Sequence, residues 1–236
     1  MKFSRFLSAL LAIFGLIAYA QTSYAQMYWR VDSGYSWSRD AGIADKNFPL
    51  DQGICGNAAC TVPGKLNDAD DSFILGGGVG YRFDPSLRAD FTISYRGGYK
   101  VSGVDAGVPA TAFSADINSW AYMLNGYYDI PVSGSWKPYV GGGLGYARNK
   151  LDSISASVPG VSASLPSGTK SGMAWSLMAG VGYPLSKTMT LDIGYRFMDL
   201  GKIESNAGPI SPAAFGTYSG ATGKLRAHEF TIGLRF

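Results

Sequence analysis

In eight separate stretches of this chain, every second residue is apolar. Alternation of that kind marks a β-strand with one apolar face, because successive strand side chains point to opposite sides. The closing stretch, HEFTIGLRF, ends on Phe236 after Phe230, Ile232 and Leu234 at every second place. The stretch over 87–96 is the cleanest, with Leu87, Ala89, Phe91, Ile93 and Tyr95 set against Arg88, Asp90, Thr92, Ser94 and Arg96. The same rhythm runs over 27–37, 73–83, 118–130, 136–147, 173–185 and 189–198, so the pattern predicts eight strands.

The connections between these strands alternate in length. Residues 84–86, 131–135 and 186–188 allow only tight turns, whereas 38–72, 97–117, 148–172 and 199–224 are long. An even strand count with short turns at one end and long loops at the other is the pattern of an outer-membrane barrel. A weak internal echo, GVGYRF, GLGYAR, GVGYPL and DIGYRF, fits repeated hairpins.

Alternation alone does not say which face is outside, since a soluble barrel places its apolar face within. Volume decides. The interior of an eight-stranded barrel is just wide enough to be filled by side chains. The apolar face carries Trp29, Trp37, Trp120 and Trp175, with Tyr or Phe on most strands, which is too much bulk for that space. The opposite face carries Gly76, Gly78, Gly80, Gly141, Gly143, Gly145, Gly180 and Gly182 among Arg and Asp. Glycine weakens a strand facing water, but it makes room in a crowded lumen, here for neighbouring arginines. The apolar face therefore looks at lipid. Trp37, Tyr95, Trp120 and Trp175 toward the loops, and Tyr81, Phe83, Tyr183 and Phe236 toward the turns, form two interfacial girdles.

Composition refines this reading. Residues 1–25 hold Lys2 and Arg5, an apolar run from Phe6 to Tyr19, and small-x-small sites ending at Ala20 and Ala25. The run is too short to span a bilayer and reads as a secretory signal peptide, cleaved after Ala25 in preference to Ala20. Without it, 18 Lys and Arg face 17 Asp and Glu, and no basic stripe remains for a nucleic-acid partner. An exported chain meets an oxidising compartment, so Cys55 and Cys60, the only cysteines, form a small looped disulfide. The single His228 is too far away in sequence for a metal site, and no cofactor is expected.

The chain resembles the eight-stranded outer-membrane β-barrel family, which includes the OmpA membrane domain, OmpX and the opacity-type surface proteins. The likeness rests on the signal segment, on the alternating strands with GGGVGYRF and TLDIGYRF, and on the terminal FTIGLRF, and it covers nearly all of 26–236. The resemblance implies an all-β, antiparallel, up-and-down transmembrane barrel with both termini periplasmic and the long loops extracellular. It also implies that Phe236 is part of the signal read by the barrel-assembly machinery. OmpA continues into a peptidoglycan-binding domain that this chain does not show, so anchoring to the cell wall is unsupported.

Candidate chemistry falls in two places. The inward positions Arg30, Asp32, Arg82, Arg88, Asp90, Arg96, Asp129, Lys137, Asp192, Arg196, Glu229 and Arg235 mix both signs. They form either a plug of paired charges or a narrow ion path of the porin kind, and the small diameter favours the plug. The loops are the other place, because surface loops on a rigid scaffold carry binding. The first loop holds CGNAAC and is slightly acidic. The third, SISASVPGVSASLPSG, exposes Val158, Val161 and Leu165, and is a hairpin extension, a mobile tip, or an adhesive or partner-binding surface. The expected role is structural or surface-interacting, with outer-membrane lipid and a surface or host ligand as partners. A small channel is the alternative. A lipid-modifying enzyme using His228 is more remote, since no serine stands two places along on its face. No catalytic residue is assigned.

Overall fold

Alternating apolar residues carry the chain back and forth across a hydrocarbon layer, and the strands they form close on each other. In the computed structural model the described residues are 26–38, 44–45, 68–105, 111–158, 161–212 and 217–236. The strands are β1 (Gln26–Ser38), β2 (Ala44–Asp45), β3 (Asp68–Arg82), β4 (Leu87–Asp105), β5 (Thr111–Asp129) and β6 (Lys137–Leu151). They continue with β7 (Ile154–Val158), β8 (Val161–Leu165), β9 (Gly168–Pro184), β10 (Thr190–Glu204), β11 (Gly208–Pro209), β12 (Thr217–Tyr218) and β13 (Ala221–Arg235).

Eight of these make a closed antiparallel ring in the order β1, β3, β4, β5, β6, β9, β10, β13 and back to β1. The seam runs in register from Arg30 opposite Arg235 to Trp37 opposite His228. It is finished by the last residue: Phe236 N donates to the Trp29 carbonyl at 2.9 Å, and Trp29 N donates to that of Phe236 at 2.7 Å. Closure leaves no edge in lipid, where an unpaired amide or carbonyl costs several kcal/mol.

The tight turns sit at the end that also holds Gln26 and Phe236. Asp84 Oδ1 accepts from Ser86 N at 2.7 Å and Leu87 N at 2.8 Å. Ser186 Oγ accepts from Thr188 N at 3.2 Å and Met189 N at 3.1 Å. Both are short polar side chains standing in for a backbone partner, which lets two strands reverse in a few residues.

From the turns up to the loop-side girdle the outward side chains are apolar, and the orientation inferred from volume holds: Trp29, Phe73, Leu75, Leu144, Leu177 and Ile232 are all at least half exposed to the surroundings. Rings pair into two girdles. Tyr95 lies 4.9 Å from Trp120, and Trp175 lies 5.4 Å from Phe197 toward the loops. Tyr81 lies 5.1 Å from Phe83, and Trp136 lies 4.8 Å from Tyr183 at the turns. Along β13 the apolar band runs from His228 to Phe236, roughly 27 Å of strand, or about 20 Å of height at the usual tilt.

The barrel strands are 13 to 19 residues long, whereas about ten suffice to cross. The surplus extends at the loop end, so much of 97–117 is strand rather than the long loop expected, with pairs from Tyr99 opposite Ile117 to Asp105 opposite Thr111. Above the loop-side girdle the two faces exchange character. In β5, Asn125 and Asp129 point in while Tyr122 and Leu124 point out; nearer the loops Ala115 and Ile117 point in while Ser114 and Asp116 point out. In β13, Leu225 and Ala227 are buried while Lys224 is exposed. Bulges at Gly98 and Gly201, both at φ +79° where glycine is favoured, shift the parity of β4 and β10 to keep this second core inside.

The interior is therefore not charged throughout, as the sequence led us to expect. Its loop-side half is an apolar core of Ile117, Leu151, Met198, Leu200, Ile203 and Leu225, each 1% exposed or less. Asn149, a polar residue set among these side chains, is satisfied: it accepts from Ser119 Oγ at 2.7 Å and donates to the carbonyls of Leu200 and Lys202 at 2.8 and 3.1 Å, flanking the Gly201 bulge.

The third loop adopts the hairpin alternative. β7 and β8 pair from Ile154 opposite Leu165 to Val158 opposite Val161, and β7 adds to β5 where β6 ends. Leu165, expected to be exposed, is 3% exposed and packs with Ile154 and Ala156 on the apolar core. Its inward turn follows from the same alternation, continued into the hairpin. Truncating Leu165→Ala should cost about 2 kcal/mol or more at this core site, raising the open population of the hairpin roughly thirtyfold or more. Limited proteolysis of the detergent-folded protein reads this as faster cleavage within 154–165, with the barrel itself still intact on a gel; unchanged cleavage would mean that the hairpin does not rest on the core.

Candidate functional site

Below the apolar core, inward side chains on six barrel strands meet in one polar network. Arg30 on β1 is held bidentately by Asp32, with Nε to Oδ2 at 2.8 Å and Nη2 to Oδ1 at 2.7 Å. Its Nη1 reaches across to Asp90 Oδ2 on β4 and to the Tyr127 hydroxyl on β5, each at 2.8 Å. Asp90 is further satisfied by Asn125 Nδ2 at 2.8 Å and by the hydroxyls of Tyr28 and Tyr127 at 3.2 and 3.3 Å.

Nearer the turns, Arg88 Nε donates to both oxygens of Asp129, at 3.0 and 3.2 Å. Its guanidinium lies 4.0 Å from the ring centroid of Tyr127 and 4.7 Å from that of Tyr139. Arg82 approaches the same carboxylate at 3.8 Å, and Arg235 pairs with Asp192 at 3.1 Å. Four arginines thus face four aspartates in the turn-side half of the lumen, as buried charges require.

A second layer lies level with the loop-side girdle. Glu229 on β13, fully buried, takes Arg96 Nε at 2.5 Å on one oxygen and Arg196 Nε at 2.6 Å on the other. Ser36 Oγ donates to Glu229 and bonds the Tyr99 hydroxyl. Arg96 also reaches Ser94 Oγ at 3.0 Å and Met198 Sδ at 3.1 Å, where the polar section meets the apolar core.

Every inward charge expected from the sequence falls on this network except Lys137, which is exposed at the turn-end mouth. Sequence reasoning missed the tyrosines. Tyr28, Tyr127 and Tyr139 point inward with the parity of Arg30, Asp129 and Gly141, a signal that parity alone carries. Tyr99 was hidden by the Gly98 bulge. Three of the inner glycines make room for these rings, not for the arginines expected, while Gly76, Gly78, Gly143 and Gly145 lie against Ser94, Thr92, Asn125 and Met123. A Cβ on Gly80 would stand 2.2 Å from the Tyr28 ring, one on Gly180 2.5 Å from the Tyr139 hydroxyl, and one on Gly141 2.8 Å from the Tyr127 ring. Gly182, beside Arg235 and Asp192, keeps the role expected.

His228 lies on the outer face at the loop-side girdle. Its Nδ1 is 2.5 Å from the Tyr195 hydroxyl, and its ring stacks on Trp37 at 6.0 Å and meets Phe197 edge-on at 5.3 Å. Such surroundings suit an interfacial anchor, where aromatic rings with a polar tip sit at the headgroup level. The expected signal segment and the Cys55–Cys60 pair lie outside the described residues.

The chain matches the model of the family described as "Outer membrane protein beta-barrel domain" over residues 6–236. It is 26% identical over 238 residues to the outer membrane protein PagN of Salmonella typhimurium, with 94% of each chain covered. Against the candidate adhesin RP828 of Rickettsia prowazekii it is 26% identical over 217 residues, covering 87% of this chain and 88% of that one. Among solved structures, the outer membrane protein OprG from Pseudomonas aeruginosa superposes with a TM-score of 0.54 at 15% identity, covering 90% of this chain and 97% of that one, which speaks for the fold alone.

Neutralising Glu229→Gln should strand Arg96 and Arg196 without a counter-charge and cost about 3–5 kcal/mol. Arg196→Gln, which keeps the buried Arg96–Glu229 pair, should cost less. Urea titration of the folded, heat-modifiable form in detergent measures both; a Glu229→Gln midpoint equal to that of the native protein would contradict the network as drawn.

Proposed function

The chain belongs to the outer membrane protein β-barrel family, and from that premise we propose that it is a surface-interaction protein of the adhesin type rather than a channel or an enzyme. The turn end and both ends of the barrel sequence face the periplasm, and the loop end faces outward. The barrel serves as the anchor; the projecting strands, the hairpin 154–165 and the loops present the contact surface. Residues 1–25 are removed on export, Cys55 and Cys60 staple the first loop, and Phe236 is read by the assembly machinery.

The observation that carries this reading is that the lumen is filled twice, by the paired charges and then by the apolar core. A water-filled path needs one continuous polar surface, and the two fillings interrupt it. The likeness to a candidate adhesin over 87% of the chain supports the same role. His228, engaged by Tyr195 and aromatic rings, serves as an interfacial anchor and not as a base.

An epitope inserted between residues 105 and 111 tests the orientation: it should bind antibody on intact cells, and detection only after permeabilisation would reverse the topology. Adherence to host cells should rise when the protein is displayed and fall several-fold when 154–165 is replaced by a Gly-Ser turn. In planar bilayers the refolded protein should show no steady openings. Steady unit conductance that is altered by Asp90→Asn would establish the channel reading instead.

A further inference from the structure

The turn end of the barrel is not closed like the loop end. A cavity of about 700 Å³ opens there, walled by the cations Arg82, Arg235 and Lys137, with Asp129 as its one carboxylate and Ile130 and Val132 on its rim. Pockets of this size take small organic molecules, with a few placed polar groups fixing their orientation.

The guanidinium groups around this mouth carry more donors than the protein's own acceptors satisfy. Arg82 Nε and Arg235 Nε and Nη1, on the cavity wall, are buried and make no hydrogen bond, while Arg88 Nη1 and Nη2, deeper in, lie against the Tyr127 and Tyr139 rings. Arg235 Nε sits 3.1 Å from Asp192 Oδ2, close enough for an ion pair, but its N–H is not aimed at that oxygen. The nearby carboxylates are already engaged: Asp129 accepts Arg88 Nε on both oxygens and faces Arg82, and Asp192 accepts Arg235 Nη2 at 3.3 Å. Arg88 itself is fully buried and Arg235 is 6% exposed. Buried guanidinium N–H groups without acceptors are costly, and forked donors of this kind match the oxygens of a carboxylate or phosphate.

We propose that the turn-end mouth is a binding site for a small organic acid, whose carboxylate or phosphate is held by Arg82 and Arg235, with Arg88 behind them and Lys137 at the entrance. The apolar rim receives the short carbon chain of the ligand. The site lies at the opposite end from the contact surface described above and does not depend on it.

The test uses the full barrel folded in detergent, titrated with sodium phosphate and with sodium butyrate at an ionic strength held constant with sodium chloride. The arginine Nε–Hε resonances of Arg82 and Arg235 should shift together and saturate in the millimolar range, with butyrate and phosphate separating carboxylate from phosphate preference. Arg82→Gln should weaken binding about tenfold, the loss of one charge-assisted contact, and Lys137→Gln should weaken it less. Lys137 is exposed and contributes to no ion pair among the described residues, so its variant folds even if Arg82→Gln does not. A response to both anions no different from that to chloride, or binding unchanged in Arg82→Gln, would overturn the proposal and leave a mouth that is merely hydrated.

Discussion

No backbone amide or carbonyl can be left open in hydrocarbon, and this requirement governs the molecule before any side chain is considered. It forces the ring to close, and Phe236 completes it by exchanging two hydrogen bonds with Trp29. Once closed, each side chain has two directions only, into the lumen or away from it. Which direction suits an apolar group then depends on what surrounds the barrel at that height.

That surrounding changes along each strand, and the sequence changes with it. Between the girdles the outside is lipid, so Leu124, Ile232 and Leu234 point out while Asn125, Glu229 and Arg235 point in. Past His228 the outside is water. There Lys202 and Lys224 point out, and Ile203 and Leu225 build a core like that of a soluble barrel. A single cylinder thus contains a membrane protein and a soluble protein end to end. The join is the Arg96–Glu229–Arg196 layer, where Arg96 touches both a carboxylate and Met198.

The eight strands and the outward orientation were legible because lipid imposes one rule on every strand: two-residue alternation with large rings outside. The charges that face inward were legible for the same reason. The apolar core was not, since alternation at 111–117 or 199–204 looks the same whichever face is apolar, and the decision is made by the water that surrounds those residues. Tyr99 and Lys202 were illegible for a further reason. A single left-handed glycine before each resets the parity, and a glycine in a strand gives no notice of whether it bulges. Leu165 was misplaced by treating 148–172 as a loop, where an apolar residue reads as exposed.

The charges do more than fill space. Arg30 on β1 meets Asp90 on β4, and Arg96 on β4 meets Glu229 on β13, although neither pair of strands is adjacent in the ring. Such contacts brace the cylinder across its width, where backbone hydrogen bonds act only between neighbours. The tyrosine–glycine fits tighten the same section, because no larger residue can replace Gly80 or Gly180 without moving a ring. A brace in the membrane and an apolar core above it hold the bases of the long loops in fixed positions. A contact surface of the kind proposed above would gain from such a base, because strand ends already held in place lose no further freedom on binding.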